Sequence, residues 1–499
     1  MLSILVCHSY FLRLDKKQLD RAKPYPPLAT LQVAAMLRGA GHRVSLFDAM
    51  LAEGMEEYDR LLRASEPQLV LVYEDNYNFL SKMCLATMRR AACNMIGAAR
   101  GGQARVIAAG SDASDAPEAY LSAGADVVLL GEGLATLQEL VARLDACPEL
   151  GTQQLVAGLG ELRHSGGSRL AVVRPARLAS AARPPSARAP QPELPAWDLL
   201  DIERYRSMWR AAHGFFSLNM AASRGCSFRC SWCAKPIWGN QYLQRPAAEV
   251  AAEMTYIRRH FAPDHVWFAD DIFGFRVDWV QEFAAAVHAA DGAVPFTVQS
   301  RADLISVKMA AALREAGCCE VWLGAESGSQ RVLDAMNKGI RVADVLEART
   351  RLGAEGIRVG FFIQLGYLGE ALEDIEATRE LIGTARPDDV GVSVAYPLPG
   401  TKFYELVKAQ LGEKTNWYAS DDLAMMFRGT YTSDFYRAVR NLLHDQVSLQ
   451  CAPRGVDGAQ RALAQRSWEE RWANLIECAP QFRNAEAHVP EARGSRALR

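Results

Sequence analysis

Over the first 146 residues, short apolar runs alternate with amphipathic stretches. Residues 3–8, 43–47, 69–73, 105–109 and 126–130 are mainly apolar, most of them as runs rather than strict alternations. That is the pattern of strands covered on both faces of a parallel sheet. Between the first two, residues 27–39 repeat Leu28, Leu31, Ala35 and Met36 at helical spacing and stop at Gly39 and Gly41. The alternation predicts a doubly wound α/β domain over 1–146, with a ligand crevice at the carboxyl ends of its strands.

Residues 147–204 break this rhythm. The stretch 183–195 is rich in proline, which predicts an extended linker. From residue 205 the rhythm resumes with a longer period, with candidate strands at 215–222, 265–269, 296–299, 320–324, 359–365 and 390–395. Strands of this number with helices between them predict a partial (βα)6 barrel over 205–412, with its chemistry at the strands' carboxyl ends. Residues 413–484 read as a mainly helical extension and 485–499 as a polar, frayed tail.

Composition narrows the function classes. Apolar residues make up 49% of the chain and charged residues 23%, as in globular proteins. Lys plus Arg total 56 against 58 Asp plus Glu, so there is no basic surplus to attract nucleic acid or anionic membrane. No apolar run approaches the ~20 residues of a membrane span. The first residues show neither a basic leader nor a small-residue cleavage site, so no signal peptide is expected. The 11 cysteines are an odd, scattered set rather than a disulfide framework, which points to a reducing, cytoplasmic location.

Three of them are different. Ser223-Arg-Gly225-Cys226-Ser-Phe-Arg-Cys230-Ser-Trp-Cys233 follows the first barrel strand with the spacing C-x3-C-x2-C. Thiolates this close converge on one centre, and soft thiolates select iron–sulfur, zinc or copper(I). A closed zinc site needs a fourth ligand at regular spacing, and His213 and His260 lie outside the loop. A [4Fe–4S] cluster normally takes four cysteines, so three leave one iron open to a substrate or cosubstrate. Cys318 and Cys319 have no third partner and read as structural thiols.

The motif and its place in the βα pattern resemble the radical S-adenosylmethionine (SAM) superfamily. There the open iron chelates the amino and carboxylate groups of SAM, and an electron from the cluster splits it into methionine and a 5′-deoxyadenosyl radical. The resemblance implies a [4Fe–4S] cluster on Cys226, Cys230 and Cys233. It also implies SAM contacts from Asp270 and Asp271 after the second strand and Arg301 after the third. Glu326, in Leu323-Gly324-Ala-Glu326-Ser327-Gly328, and Gln364, in Gln364-Leu-Gly366-Tyr-Leu-Gly369-Glu370, complete that set.

The N-terminal stretch resembles the cobalamin (B12)-binding domain that precedes the barrel in one branch of this superfamily. The matching segments are Pro26-Pro27-Leu28-Ala29, Gly41-His-Arg-Val-Ser-Leu-Phe47-Asp48 and Gly124-Ala-Asp126-Val-Val-Leu-Leu-Gly131-Glu132-Gly133. The contacts implied by that likeness are Glu74, Asp75 and Asn76 toward cobalt, with Gly110, Ser111, Gly131, Glu132 and Gly133 toward the nucleotide tail. Where such domains supply an axial histidine they carry D-x-H-x-x-G. Here Asp48-Ala49-Met50 places methionine at that position, so a cobalt without a protein imidazole is expected. The loop Gly110-Ser111-Asp112-Ala113-Ser114-Asp115 also departs from the usual Gly-Gly-Pro-His-x-Thr.

Taken together, the resemblance implies a cobalamin-dependent radical SAM methyltransferase. Its target would be an unactivated carbon or phosphorus of a small-molecule or lipid-like intermediate, with a flavodoxin or ferredoxin as reductant. A cyclase or rearrangement enzyme, with cobalamin non-methylating or absent, is the second reading. A metal-binding scaffold module is the third. Asn416-Trp417 through Gly429 is expected either to cap the barrel's open side and contact substrate or to cover the barrel's apolar flank.

Overall fold

The first sheet of the computed structural model starts with β1 (Ser3–Cys7), β2 (Arg43–Phe47), β3 (Leu69–Tyr73), β4 (Arg105–Ala109) and β5 (Val127–Leu129). It is completed by β6 (Gly160–Arg163) and β7 (Ala171–Pro175). The structure describes residues 1–78, 83, 85–131, 133–163, 171–175, 194–233, 242–452 and 458–484. Glu132, Cys84, residues 164–170 and 176–193 of the expected linker and the expected tail lie outside the described residues. The strand order is β2-β1-β3-β4-β5-β7-β6, with every neighbouring pair parallel except β6 and β7. Strand order reverses between β1 and β3, and ligand crevices open at such a point.

The sheet runs past residue 146, where the sequence places the linker. Strand β7 pairs with β5 at Val127↔Ala171, and β6 pairs back on β7 at Leu162↔Val173. A strand pair added at a sheet edge has no helical period beside it, so periodicity alone passes it over. The junction itself is packed. Trp197 is buried in the core shared with the barrel, and Ala196 N–H donates to Leu31 O at 3.2 Å.

The second sheet holds β8 (Ser217–Met220), β11 (His265–Phe268), β12 (Phe296–Ser300), β13 (Cys318–Glu326), β14 (Arg358–Leu365) and β15 (Asp389–Val394). A hairpin of β9 (Ser223–Gly225) and β10 (Tyr242–Gln244) leaves the end of β8. The order β15-β14-β13-β12-β11-β8 is that of an open, all-parallel partial barrel. Leu218, Met220, Val266, Phe268, Val298, Val321, Leu323 and Phe361 join the core with the surrounding helices. Successive strand side chains alternate faces, so Asn219, Trp267, Gln299, Trp322, Phe362 and Gln364 line the inside.

The gap between β8 and β15 is bridged by the N-terminal domain. Tyr25 OH lies 3.1 Å from Ser217 Oγ, and Asn219 Nδ2 donates to Pro26 O at 3.0 Å, both on β8. On the other side, Ser420 Oγ donates to Asp15 Oδ1 at 2.9 Å, and Tyr396, just after β15, donates to Asn416. Within residues 416–429, Asn416, Trp417 and Ser420 are buried at this seam. Helix Ser433–Cys451 packs on β15, and helix Gly458–Cys478 lies against it through Trp468. No helix among the described residues is long and apolar enough to cross a membrane.

Candidate active site

The cysteine loop leaves β9 at the barrel's carboxyl end. Cys226 is buried while Cys230 and Cys233 are half-buried, and none of the three is in a disulfide. The loop is pinned from three directions. Ser231 N–H donates to Met336 O at 2.8 Å, Phe403 N–H donates to Ser231 O at 2.9 Å, and Asn337 Nδ2 donates to Arg229 O at 2.8 Å. Among the described residues, no three His, Cys, Asp or Glu side chains are placed to hold a single metal ion. A cubane takes one thiolate per iron, so its ligands stand further apart than those around one ion. Three thiols on one anchored loop, with no carboxylate or imidazole among them, fit that donor set.

Arg301, predicted toward SAM, is buried against this loop. Its guanidinium lies 3.6 Å from the Phe228 ring centroid and 3.9 Å from Cys230 Sγ. It is clamped by both oxygens of Asp303 at 3.0 Å and by Lys338 O at 2.9 Å.

Asp270 is engaged at the root of the loop. Ala222 N–H donates to Oδ2 at 2.9 Å and Ser223 Oγ donates to Oδ1. Burial, with Asp271 adding to it, pushes its carboxyl up to about 7 against these two hydrogen bonds. Both oxygens therefore have donors from the chain, and Asp270 ties β8's exit to β11.

At the end of β13 the pairing with β14 shifts register between Gly324 and Glu326, and Glu326 takes a φ of +61°. Such a bulge re-aims a side chain. The Glu326 carboxylate meets Lys338 Nζ at 2.6 Å, with the two side chains only 6% and 7% exposed. Gly324 lets the pair lie close, since a Cβ there would meet Lys338 Nζ at 2.6 Å. Gln364, one strand on, is buried with its Oε1 unpartnered among the described residues. Lower on the inner wall, the Trp322 and Phe362 rings stack at 4.9 Å and 29°. Gly360 makes room for that stack, because a Cβ there would meet the Trp322 indole at 2.5 Å.

Glu370 closes the β14 loop by accepting from Gly366 N–H at 2.6 Å. Burial raises its carboxyl to about 8. The folded chain thus keeps a proton that the unfolded chain releases near 4.5, so stability falls as pH rises through that window. Each tenfold gain in proton affinity corresponds to ~1.4 kcal/mol. The unfolding midpoint of cluster-free protein is expected to drop between about pH 5 and 8, and Glu370→Gln to flatten that slope; an unchanged slope would refute it.

In the first domain, the crevice between β1 and β3 uses the predicted trio unequally. Glu74 accepts from Ser9 N–H with both oxygens at 3.2 Å. Asp75 accepts from Ala29 N–H at 3.0 Å and Tyr77 N–H at 3.2 Å. Asn76 is 5% exposed, and neither amide atom has a partner among the described residues. Ser111 opens the short helix Ser111–Asp115 after Gly110, and Gly131 N–H donates to Ser114 Oγ at 2.8 Å. Asp112, one of two aspartates in that loop, is held by a two-pronged contact from Arg89 at 2.6 and 2.8 Å. Gly133 precedes helix Leu134–Ala146.

The comparison with D-x-H-x-x-G needs a correction. Asp48 and Met50 follow β2, one strand away from the crevice, and Met50 is core. The histidine at β1's end is His8, which sequence reasoning did not single out. Its Nε2 stands 3.0 Å from Asp48 Oδ1 and 3.1 Å from Ala49 N, so it serves the fold on the β2 side. An orphaned buried amide and small-residue turns fit cobalamin, whose corrin rim carries amide donors and acceptors.

The two regions touch. Arg224, two residues before Cys226, donates from Nε to Tyr77 OH at 2.6 Å and also to Gln32. Arg224, Tyr77, Lys338, Trp322 and Phe362 carry no motif of their own, and only the folded chain brings them to the site.

Comparison with known proteins agrees with this division. The B12 binding domain family model matches residues 19–141, and the Radical SAM superfamily model matches residues 220–382. An uncharacterised methyltransferase of Pyrococcus horikoshii is 24% identical over 441 residues, covering 84% of this chain and 90% of that protein. The chain spans less than half the length of the next curated relatives it matches, at 46% and 49%. The fold is that of TsrM from Kitasatospora setae, a radical SAM methyltransferase solved with cobalamin and a [4Fe–4S] cluster. There the TM-score is 0.66 at 18% identity, covering 100% of this chain and 94% of TsrM. OxsB, a cobalamin-dependent SAM radical enzyme solved with aqua-cobalamin and SAM, gives 0.66 at 15% identity, covering 96% and 72%.

Proposed function

We propose that this chain is a radical SAM enzyme with an N-terminal B12 binding domain and that it methylates an unactivated carbon or phosphorus of a small molecule. When bound, the cluster supplies an electron to SAM and cobalamin carries the methyl group. The observation that supports the reading best is the Arg224–Tyr77 contact, by which the cysteine loop abuts the β1/β3 crevice. A methyl group held over that crevice would face a substrate inside the barrel.

The residues divide the work. Cys226, Cys230 and Cys233 hold the cluster, and Arg301 keeps a positive charge beside Cys230. Glu326 and Gln364 offer acceptors to SAM, while Asp270 holds the loop's root and Asp271 lies beside it. Asn76 faces the cobalamin site. The Trp322–Phe362 wall gives the substrate an apolar surface to lie against. Two electrons per turnover come from an external reductant of the flavodoxin or ferredoxin type.

Product analysis tests this against ring formation or rearrangement. Methylation consumes two SAM per turnover and releases S-adenosylhomocysteine together with methionine and 5′-deoxyadenosine. Methionine and 5′-deoxyadenosine alone, in the presence of substrate and cobalamin, would overturn it. Zinc without sulfide in anaerobically purified protein would instead favour the scaffold reading.

A spectroscopic expectation accompanies it. With His8 committed to Asp48 and Met50 in the core, bound cob(II)alamin is expected to show no nitrogen superhyperfine splitting from a protein imidazole in its paramagnetic resonance spectrum. Splitting that disappears in His8→Ala would show that the imidazole swings onto cobalt.

A further inference from the structure

We propose that Arg224 couples the two cofactor sites, so that forming the cluster tightens cobalamin binding and cobalamin in turn tightens the cluster loop. The proposal rests on the two-cofactor reading above and adds a positioning residue to it.

Arg224 lies on β9, in the hairpin that carries Cys226, and pairs there with Leu243 of β10. Its guanidinium leaves that hairpin for the other domain. Nε donates to Tyr77 OH at 2.6 Å, Nη2 donates to Gln32 Oε1, and the guanidinium carbon stands 5.5 Å from the Tyr77 ring centroid. Tyr77 OH also reaches Gln32 Oε1 at 3.5 Å. Gln32 belongs to helix Leu28–Gly39, whose first turn is held by Asp75 through Ala29 N–H. Tyr77 N–H donates to the same Asp75 oxygen, and between the two stands Asn76 with its unpartnered amide. One planar, forked cation therefore grips both the helix and the turn that frame the crevice, from a position two residues before a cluster ligand. Lysine has no such fork and cannot grip both.

The consequence is thermodynamic. With the cysteine loop unligated, the β9–β10 hairpin and Arg224 have more conformations, and cobalamin must order the Asn76 turn itself. With the cluster in place that ordering is already done, which is positive cooperativity through shared conformational entropy. Linkage requires the same factor in both directions, and couplings of this kind amount to roughly fivefold to a hundredfold.

The experiment uses the full chain, with and without its reconstituted cluster, titrated anaerobically with hydroxocobalamin. The wild-type affinity is expected to rise by roughly fivefold or more when the cluster is present. In Arg224→Met the ratio should fall to about one, and Arg224→Lys should recover only part of it. Tyr77→Phe, which removes a single hydroxyl and leaves the ring, should lower the ratio with iron content and unfolding midpoint unchanged. The reduced cluster's paramagnetic resonance spectrum should shift on adding cobalamin in wild type and stay fixed in Arg224→Met. A wild-type ratio of one, or a ratio kept in both Arg224→Met and Tyr77→Phe, would overturn the coupling while leaving the two-cofactor reading standing. Failure of wild type to take up cobalamin in either state would overturn both.

Discussion

Alanine at any one of Cys226, Cys230 or Cys233 is expected to abolish SAM cleavage and to take iron content from about four per chain toward zero. With one iron already reserved for SAM, losing a thiolate leaves two protein ligands for a four-iron cluster. The loop offers no substitute, since residues 226–233 include no carboxylate or imidazole side chain. Cys318→Ala is the control. That thiol is wholly buried at the start of β13, its Sγ lies 3.4 Å from Glu320 O, and burial pushes it well up from its ordinary value. A protonated, enclosed thiol is neither nucleophile nor ligand. Wild-type iron and 5′-deoxyadenosine formation are therefore expected in Cys318→Ala. Iron retained in Cys230→Ala, or lost in Cys318→Ala, would refute the ligand assignment.

What the sequence discloses follows from how local each signal is. The three cysteines are contiguous in chain and in space, so their spacing alone points to the chemistry. The expected strands carry apolar runs or alternations long enough to read, and the structure has their ends within two residues of the expected places, β13 reaching Cys318 and Glu326. The β6–β7 pair was hidden because its strands are only four and five residues long, too short for a periodic signal. The site beyond the cysteines depends on contacts distant in sequence. Asp270 shares a buried knot with Ser223, Arg224 reaches across to Tyr77, and Glu326 is answered by Lys338. None of these pairs has a spacing rule, because each is set by which strands the topology makes neighbours. His8 and Asp48 illustrate the same point: a pattern sought within one segment is assembled from the ends of β1 and β2.

Glu326→Ala is expected to weaken SAM binding by roughly one to two orders of magnitude while the cluster remains, but it is also expected to destabilise the fold, and the two effects must be separated. Glu326 and Lys338 form a buried ion pair at 2.6 Å. Removing one partner of such a pair leaves an unpaired charge out of water and costs about 3–5 kcal/mol. Replacing both partners by neutral groups of similar shape is close to neutral. Glu326→Gln with Lys338→Met should therefore regain most of the unfolding midpoint lost in Glu326→Ala. If Glu326 only balances Lys338, the double variant also regains SAM affinity. If the carboxylate accepts from the SAM ribose, affinity stays low, because a neutral amide replaces a charged acceptor whose hydrogen bond is worth about 1.5–3 kcal/mol. The geometry favours the second outcome. A bulge and a φ of +61° turn this side chain at the barrel mouth, which a mere counter-ion for Lys338 would not require. SAM affinity measured at full iron content decides it: restored stability with weak SAM binding supports the acceptor role, and wild-type SAM affinity in the double variant refutes it.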